Sequence, residues 1–176
     1  LVMPALIFTC LRFFTTNHYN IPFYHPVVDN AGQVKINNSD TVYYEVPNID
    51  GYSFRGKLTV VNYQGQECTD SCAVMRDNLN RIYTLRSHNK DLSILSVGDS
   101  VKGGSVKDGW FSSKMSDSTR LELFKWNYPT SKIVYDKDCR WVLVDGTGHI
   151  RGYYRGADAG ESDRLMAEIK ILSSNQ

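Results

Sequence analysis

Cys68 and Cys72 are the side chains whose type and spacing best suit chemistry in this 176-residue sequence. They bracket the segment Cys68-Thr69-Asp70-Ser71-Cys72, where an apolar run ends and a helical pattern begins. On a helix, residues four apart are neighbours on one face. Their Cα atoms would be about 6 Å apart, inside the roughly 4.4–6.8 Å that a disulfide spans. The same convergence lets two thiolates share one soft metal ion, and Cu(I) suits such ligands. The pair can therefore work through electrons, through a metal, through both, or as a plain stabilising disulfide.

Local electrostatics cut two ways. Amides exposed at a helix start favour the thiolate of Cys68, whereas Glu67 and Asp70 oppose it by like-charge repulsion. Those carboxylates handicap a strongly oxidising thiol more than a site that receives a cation. In exchange chemistry Cys68, nearer the helix end, is the expected attacking thiol and Cys72 the resolving one. The other two cysteines read as inert buried thiols: Cys10 lies in an apolar stretch, and Cys139 opens a later strand. Four cysteines are too few for a disulfide scaffold in a chain this long.

The elements that must position the pair follow from periodicity. Leu58-Thr59-Val60-Val61-Asn62-Tyr63 is almost wholly apolar or β-branched without strict alternation, as expected of a central strand covered on both faces. After it, Cys72, Met75, Leu79, Ile82 and Arg86 recur every three or four residues, a helical stripe. Leu92-Ser93-Ile94-Leu95-Ser96-Val97 supplies the next buried strand, and strand, helix, strand implies a parallel right-handed crossover. Residues 98–109 hold four glycines and read as a loop. Ser116 or Asp117 can cap a short helix over residues 119–126, which Pro129 stops from going further. Residues 140–145 and 149–154 read as a hairpin around Gly146-Thr147-Gly148, and a final helix starts near Ser162, burying Leu165, Met166, Ile169 and Leu172. Upstream, residues 26–36 suggest a hairpin turning at Asp29-Asn30-Ala31-Gly32, and residues 41–46 and 49–54 suggest short extended segments. The expectation is an α/β thioredoxin-like fold: a central mixed sheet flanked by helices, with an N-terminal β extension.

Twenty basic against nineteen acidic residues give a net charge of +1, which argues against nucleic acid as a partner. The start is apolar for about fourteen residues, short of a full membrane span. It reads as the trailing end of a signal anchor, followed by a linker over residues 18–25. Residues 1–25 are thus expected to be an anchor remnant with its linker, and residues 26–176 a single domain.

The sequence resembles the SCO/SenC family of membrane-tethered, thioredoxin-fold copper proteins that serve cytochrome c oxidase assembly. The likeness is carried by Lys57-Leu-Thr-Val-Val-Asn-Tyr63 ahead of Cys68-Thr-Asp-Ser-Cys72, by Trp141-Val-Leu-Val-Asp-Gly-Thr-Gly-His-Ile-Arg-Gly-Tyr-Tyr-Arg-Gly156, and by Asp163-Arg-Leu-Met-Ala-Glu-Ile-Lys-Ile-Leu172. It implies copper bound through Cys68 and Cys72, a protein partner that receives it, and a domain on the outer, periplasmic or intermembrane-space side of a membrane. The family carries proline after each cysteine, where this chain has Thr69 and Ala73. It also places a third copper ligand, a histidine, at or near the position of Lys137, and no histidine occurs between His88 and His149. Asp138 or Cys139 are the substitutes at hand. Without bound metal, the pair implies instead a thiol-disulfide oxidoreductase.

Overall fold

The computed structural model describes residues 20–64, 71–98, 101, 103–123, 126–127, 133–134 and 141–174. Its centre is a six-stranded mixed sheet. The strands are β3 (Leu58–Tyr63), β4 (Leu92–Val97), β5 (Gly104–Lys107), β6 (Trp110–Ser113), β9 (Trp141–Val144) and β10 (Ile150–Tyr154), in the order β10-β9-β3-β4-β6-β5. β3 runs parallel to β4, and β4 parallel to β6, whereas β9 lies antiparallel to both β3 and β10. Two-stranded pairs stand apart from it: β1 (Ile36–Asn37) with β2 (Asp40–Thr41), and β7 (Trp126–Asn127) with β8 (Ile133–Val134).

β3 is the central strand its composition predicts, because a run without polar alternation must bury both of its faces. Successive side chains alternate sides, so Leu58 and Val60 enter one core and Val61 the other. The first core packs Leu92, Ile94 and Leu143 against two helices, α1 (Ser71–Thr84) and α3 (Ala159–Ser174). α1 contributes Met75, Leu79 and Ile82, the predicted stripe, and α3 contributes Leu165, Ile169 and Leu172, with Met166 partly buried beside them. Each such buried side chain contributes roughly 1.5–3 kcal/mol. On the opposite face, Val61, Leu95, Val97, Val142 and Val144 meet Ile49, Tyr52 and Phe54 of the N-terminal extension and Leu123 of α2 (Asp117–Leu123).

Several boundaries differ from the sequence reading, each for a local reason. Residues 98–109 include a strand: β5 pairs antiparallel with β6, and because all four of its residues are exposed it carries no apolar signal. Residues 49–54 do not run straight, since Ile49 and Tyr52 face each other across a turn with Asp50 at φ 45° and Gly51 at φ 81°. An Asp-Gly pair suits a turn that needs two positive φ angles. The short helix is capped by Ser116, whose Oγ accepts from the Thr119 amide at 3.3 Å, but it ends at Leu123, and Trp126 belongs to β7. α3 begins at Ala159 because Asp158 caps it, accepting from the Glu161 amide at 3.1 Å. Arg86 does end the α1 stripe, in a 3-10 turn over Leu85–Ser87, where it pairs with Asp108 at 3.1 Å.

The hairpin between β9 and β10 is fixed by one carboxylate. Asp145 Oδ1 accepts from the amides of Thr147 (2.9 Å) and His149 (3.0 Å) and from the Thr147 hydroxyl (2.6 Å), while Oδ2 pairs with Arg151 at 2.9 Å. Burial pushes the Asp145 carboxyl up, but these bonds outweigh it and hold the group below the ordinary carboxylate value. The Arg151 guanidinium also donates to the carbonyls of Ile21 and Pro22 and lies over the Phe23 ring. Residues 20–25, the end of the expected linker, are thereby strapped along β10, and the Ile21 side chain is buried in the α1-side core. The expected turn after residue 28 also forms, with Asp29 Oδ1 accepting from the amides of Ala31 and Gln33. No helix among the described residues is long and apolar enough to cross a membrane.

Candidate functional site

Cys72 occupies the first turn of α1, just beyond the carboxyl end of β3, and is partly buried against the α1-side core. Its sulfur is disulfide-bonded. The remaining cysteines, Cys10, Cys68 and Cys139, lie outside the described residues, as do Asp138 and Lys137.

Two contacts hold α1 in place against the sheet. Asn78 Nδ2 donates to the Gly156 carbonyl at 3.0 Å, tying the helix to the chain that leaves β10. Gly156 is packed so closely that an added Cβ would stand 2.5 Å from Trp141 Cε2 and 2.8 Å from Met75 Cγ. Only glycine lets α1, β9 and the exit of β10 come this close.

Beneath Cys72 runs a chain of buried polar groups that links four strands. Trp141 Nε1 on β9 donates to Asn62 Oδ1 on β3 at 3.0 Å. Asn62 Nδ2 donates to Ser96 Oγ on β4 at 3.4 Å, and Trp110 Nε1 on β6 donates to the same oxygen at 3.0 Å. Register explains the assembly, because Asn62 stands opposite both Ser96 and Trp141. The sequence reading did not join Trp110 and Trp141 to Asn62 and Ser96. Its available signal was a lone amide in a strand otherwise built from apolar and β-branched residues.

Between α1 and the carboxyl ends of β3 and β4 opens a cleft of about 750 Å³. Cys72, Met75 and Leu79 form its helical wall, and Asn62, Ser96 and Trp110 its floor. Open α/β sheets bind ligands at the carboxyl ends of their strands, and this cleft has that location.

The described histidines lie elsewhere. His149 follows the Asp145 hairpin, near the amino end of β3, as Val144 opposite Thr59 shows; its Nδ1 meets the Thr147 hydroxyl at 2.7 Å. His25 contacts the Tyr153 hydroxyl at 2.5 Å, and His88 closes the 3-10 turn at the far end of α1. His149 and His88 thus lie away from the Cys72 end of the sheet, and the Tyr153 that His25 contacts belongs to the core on the face opposite α1. Among the described residues no group of three His, Cys, Asp or Glu side chains could hold a metal ion.

The sequence matches no family model and no curated protein. Solved structures do match. BsSco, a member of the Sco family of cytochrome c oxidase assembly proteins in which a disulfide switch was identified, is 20% identical with a TM-score of 0.50, covering 76% of this chain and 95% of its own. The fold is thioredoxin-like. A SCO1/SenC family lipoprotein from Bacillus anthracis is 14% identical over 73% of this chain and 92% of its own, with a TM-score of 0.49. Copper-bound ScoI from Arabidopsis thaliana is 12% identical over 70% and 88%, with a TM-score of 0.44. The thioredoxin-like fold expected from strand and helix order is thus the one observed. It places Cys72 in the first turn of the helix that follows the central strand.

Proposed function

We propose that this chain is a membrane-tethered, SCO/SenC-like protein that handles copper for cytochrome c oxidase assembly, taking Cu(I) through Cys68 and Cys72 and passing it to a protein partner on the outer side of a membrane. The observation that carries the reading is Cys72 in the first turn of α1, its partly buried sulfur beside the cleft. The backbone likeness to BsSco, a cytochrome c oxidase assembly protein, supports the same reading. Copper here is cargo. Two thiolates four residues apart fit Cu(I), whereas no described histidine lines the cleft beside Cys72 to complete a site for Cu(II). A third donor would come from Asp138 or Cys139, just upstream of Trp141.

The test is titration of the reduced protein with Cu(I) and Cu(II), beside Cys68→Ser, Cys72→Ser and Cys139→Ser. Stoichiometric Cu(I) binding lost in either of the first two variants is expected. Binding that ignores Cys68 would overturn the proposal, and a loss in Cys139→Ser would identify the third donor.

The disulfide at Cys72 favours a second reading, thiol-disulfide exchange. In it the Cys68 thiolate attacks a partner disulfide, forming a mixed disulfide and expelling one partner thiolate. The Cys72 thiolate then attacks Cys68 sulfur, releasing the second partner thiolate. The partner gains two electrons and the pair is left oxidised. A reduction potential between roughly −120 and −270 mV would fit such an exchanger, and one below about −300 mV a structural disulfide.

A further inference from the structure

The cleft beside Cys72 has a charge pattern that its role as a thiol site does not require. The charged described residues that line it are Arg76 and Lys107, both exposed and both basic. Neither forms an ion pair with a carboxylate among the described residues. Arg76 stands one helical turn after Cys72 on the wall of the cleft. Lys107 stands across from it at the end of β5, its Nζ held 3.7 Å from the Tyr83 ring centroid and 4.6 Å from that of Trp110. Two cations facing one space, with no carboxylate among the described residues of its lining, favour an anionic group there, although the chain as a whole is nearly neutral. Between them the lining is apolar, with Met75, Leu79, Val106 and Trp110.

β5 adds a second constraint on what fits. Among the described residues it is the outermost strand of the sheet, paired with β6 alone, and all four of its residues are exposed. A strand edge of this kind offers backbone N–H and C=O groups to an extended chain. We propose that the cleft docks an extended, acidic segment of the protein partner, laid along β5 with carboxylates reaching Arg76 and Lys107 and apolar side chains between them. This rests on the reading that Cys72 works on a protein partner, and it names the chemistry by which that partner is chosen.

The experiment is fluorescence anisotropy with a dye-labelled, end-blocked peptide alternating Glu with Val, against the same peptide with Lys for Glu. The acidic peptide is expected to bind at least about tenfold more tightly, with the difference shrinking as salt is raised. Arg76→Glu with Lys107→Glu should weaken the acidic peptide by about tenfold or more and improve the basic one. Lys170→Glu, an exposed change on α3 away from the cleft, should leave both affinities unchanged. Equal affinity for the two peptides, or an equal loss in Lys170→Glu, overturns the proposal.

A variant carrying Cys68→Ser and Cys72→Ser separates this test from that of the function. It should keep peptide selectivity while losing Cu(I) binding and exchange. Selectivity in a protein that never binds Cu(I) would sustain the docking proposal and remove the copper reading. Cu(I) binding without peptide selectivity would do the reverse.

Discussion

Replacing Asn62 by leucine should expose the energetic weight of the polar chain beneath Cys72. The side chain is buried and accepts from Trp141 Nε1 at 3.0 Å, and Trp141 is itself fully buried. Leucine keeps the size but removes the acceptor, so the buried indole N–H loses its bond to Asn62. An orphaned buried donor costs about 1–3 kcal/mol. The second bond, to Ser96 at 3.4 Å, is long, and Ser96 retains the N–H of Trp110, so its loss adds at most a few tenths of a kcal/mol. A net loss of about 2 kcal/mol is expected, a fall in Tm of roughly 4–8 °C for a domain of this size. The assay is urea unfolding of the oxidised protein, run as a double-mutant cycle with Trp141→Phe. In that background no indole donor remains to be orphaned, so Asn62→Leu should cost about 1 kcal/mol less or better. Costs that add to within about 0.5 kcal/mol would refute the assignment of a coupled Asn62–Trp141 bond.

Asp145→Asn should destabilise by about 3 kcal/mol at neutral pH, because it leaves the nearly buried Arg151 without its charge partner. The wild-type carboxyl titrates below its unfolded value, so its contribution is complete above roughly pH 4 and is lost as pH falls through the lower, folded value. Acid titration of stability should therefore fall away in the wild type and be flatter in Asp145→Asn, and parallel curves would contradict the assignment. Gly156→Ala should cost about 1–3 kcal/mol, since its methyl would press on Trp141 and Met75, and hydrogen exchange should quicken in the first turn of α1 before the far end of the helix. Arg86→Met keeps the apolar stem but drops the Asp108 pair and the bonds to the carbonyls of Lys90 and Leu92. Its expected cost is about 1–3 kcal/mol by thermal unfolding, most of it from the two carbonyls, because Asp108 is largely exposed.

What could be read in the sequence was whatever one strong local pattern encodes. β3 and β4 are continuous apolar runs, the α1 stripe repeats every three or four residues, and Gly146-Thr147-Gly148 marks its hairpin, so each was legible from a window of about ten residues. β5 was missed because its four residues are exposed and carry no apolar signal, and the turn at Asp50 and Gly51 because it interrupts a short run whose composition reads as extended. The site divides in the same way. Cys72 was legible as the start of a helix after a buried strand. Its surroundings were not, because Asn62, Ser96, Trp110 and Trp141 meet through strand register, which no single stretch of sequence states. Arg76 and Lys107 likewise face one cleft only because α1 and β5 are brought together by the sheet.

The strap along β10 has a mechanical consequence. Arg151 grips the carbonyls of Ile21 and Pro22, so tension applied to the chain at Asn20 enters the domain through β10. β5 lies at the other margin of the sheet, five strand spacings or about 24 Å away. A domain hung from its amino end would bear its load on the Arg151–Asp145 side and swing with β5 outward.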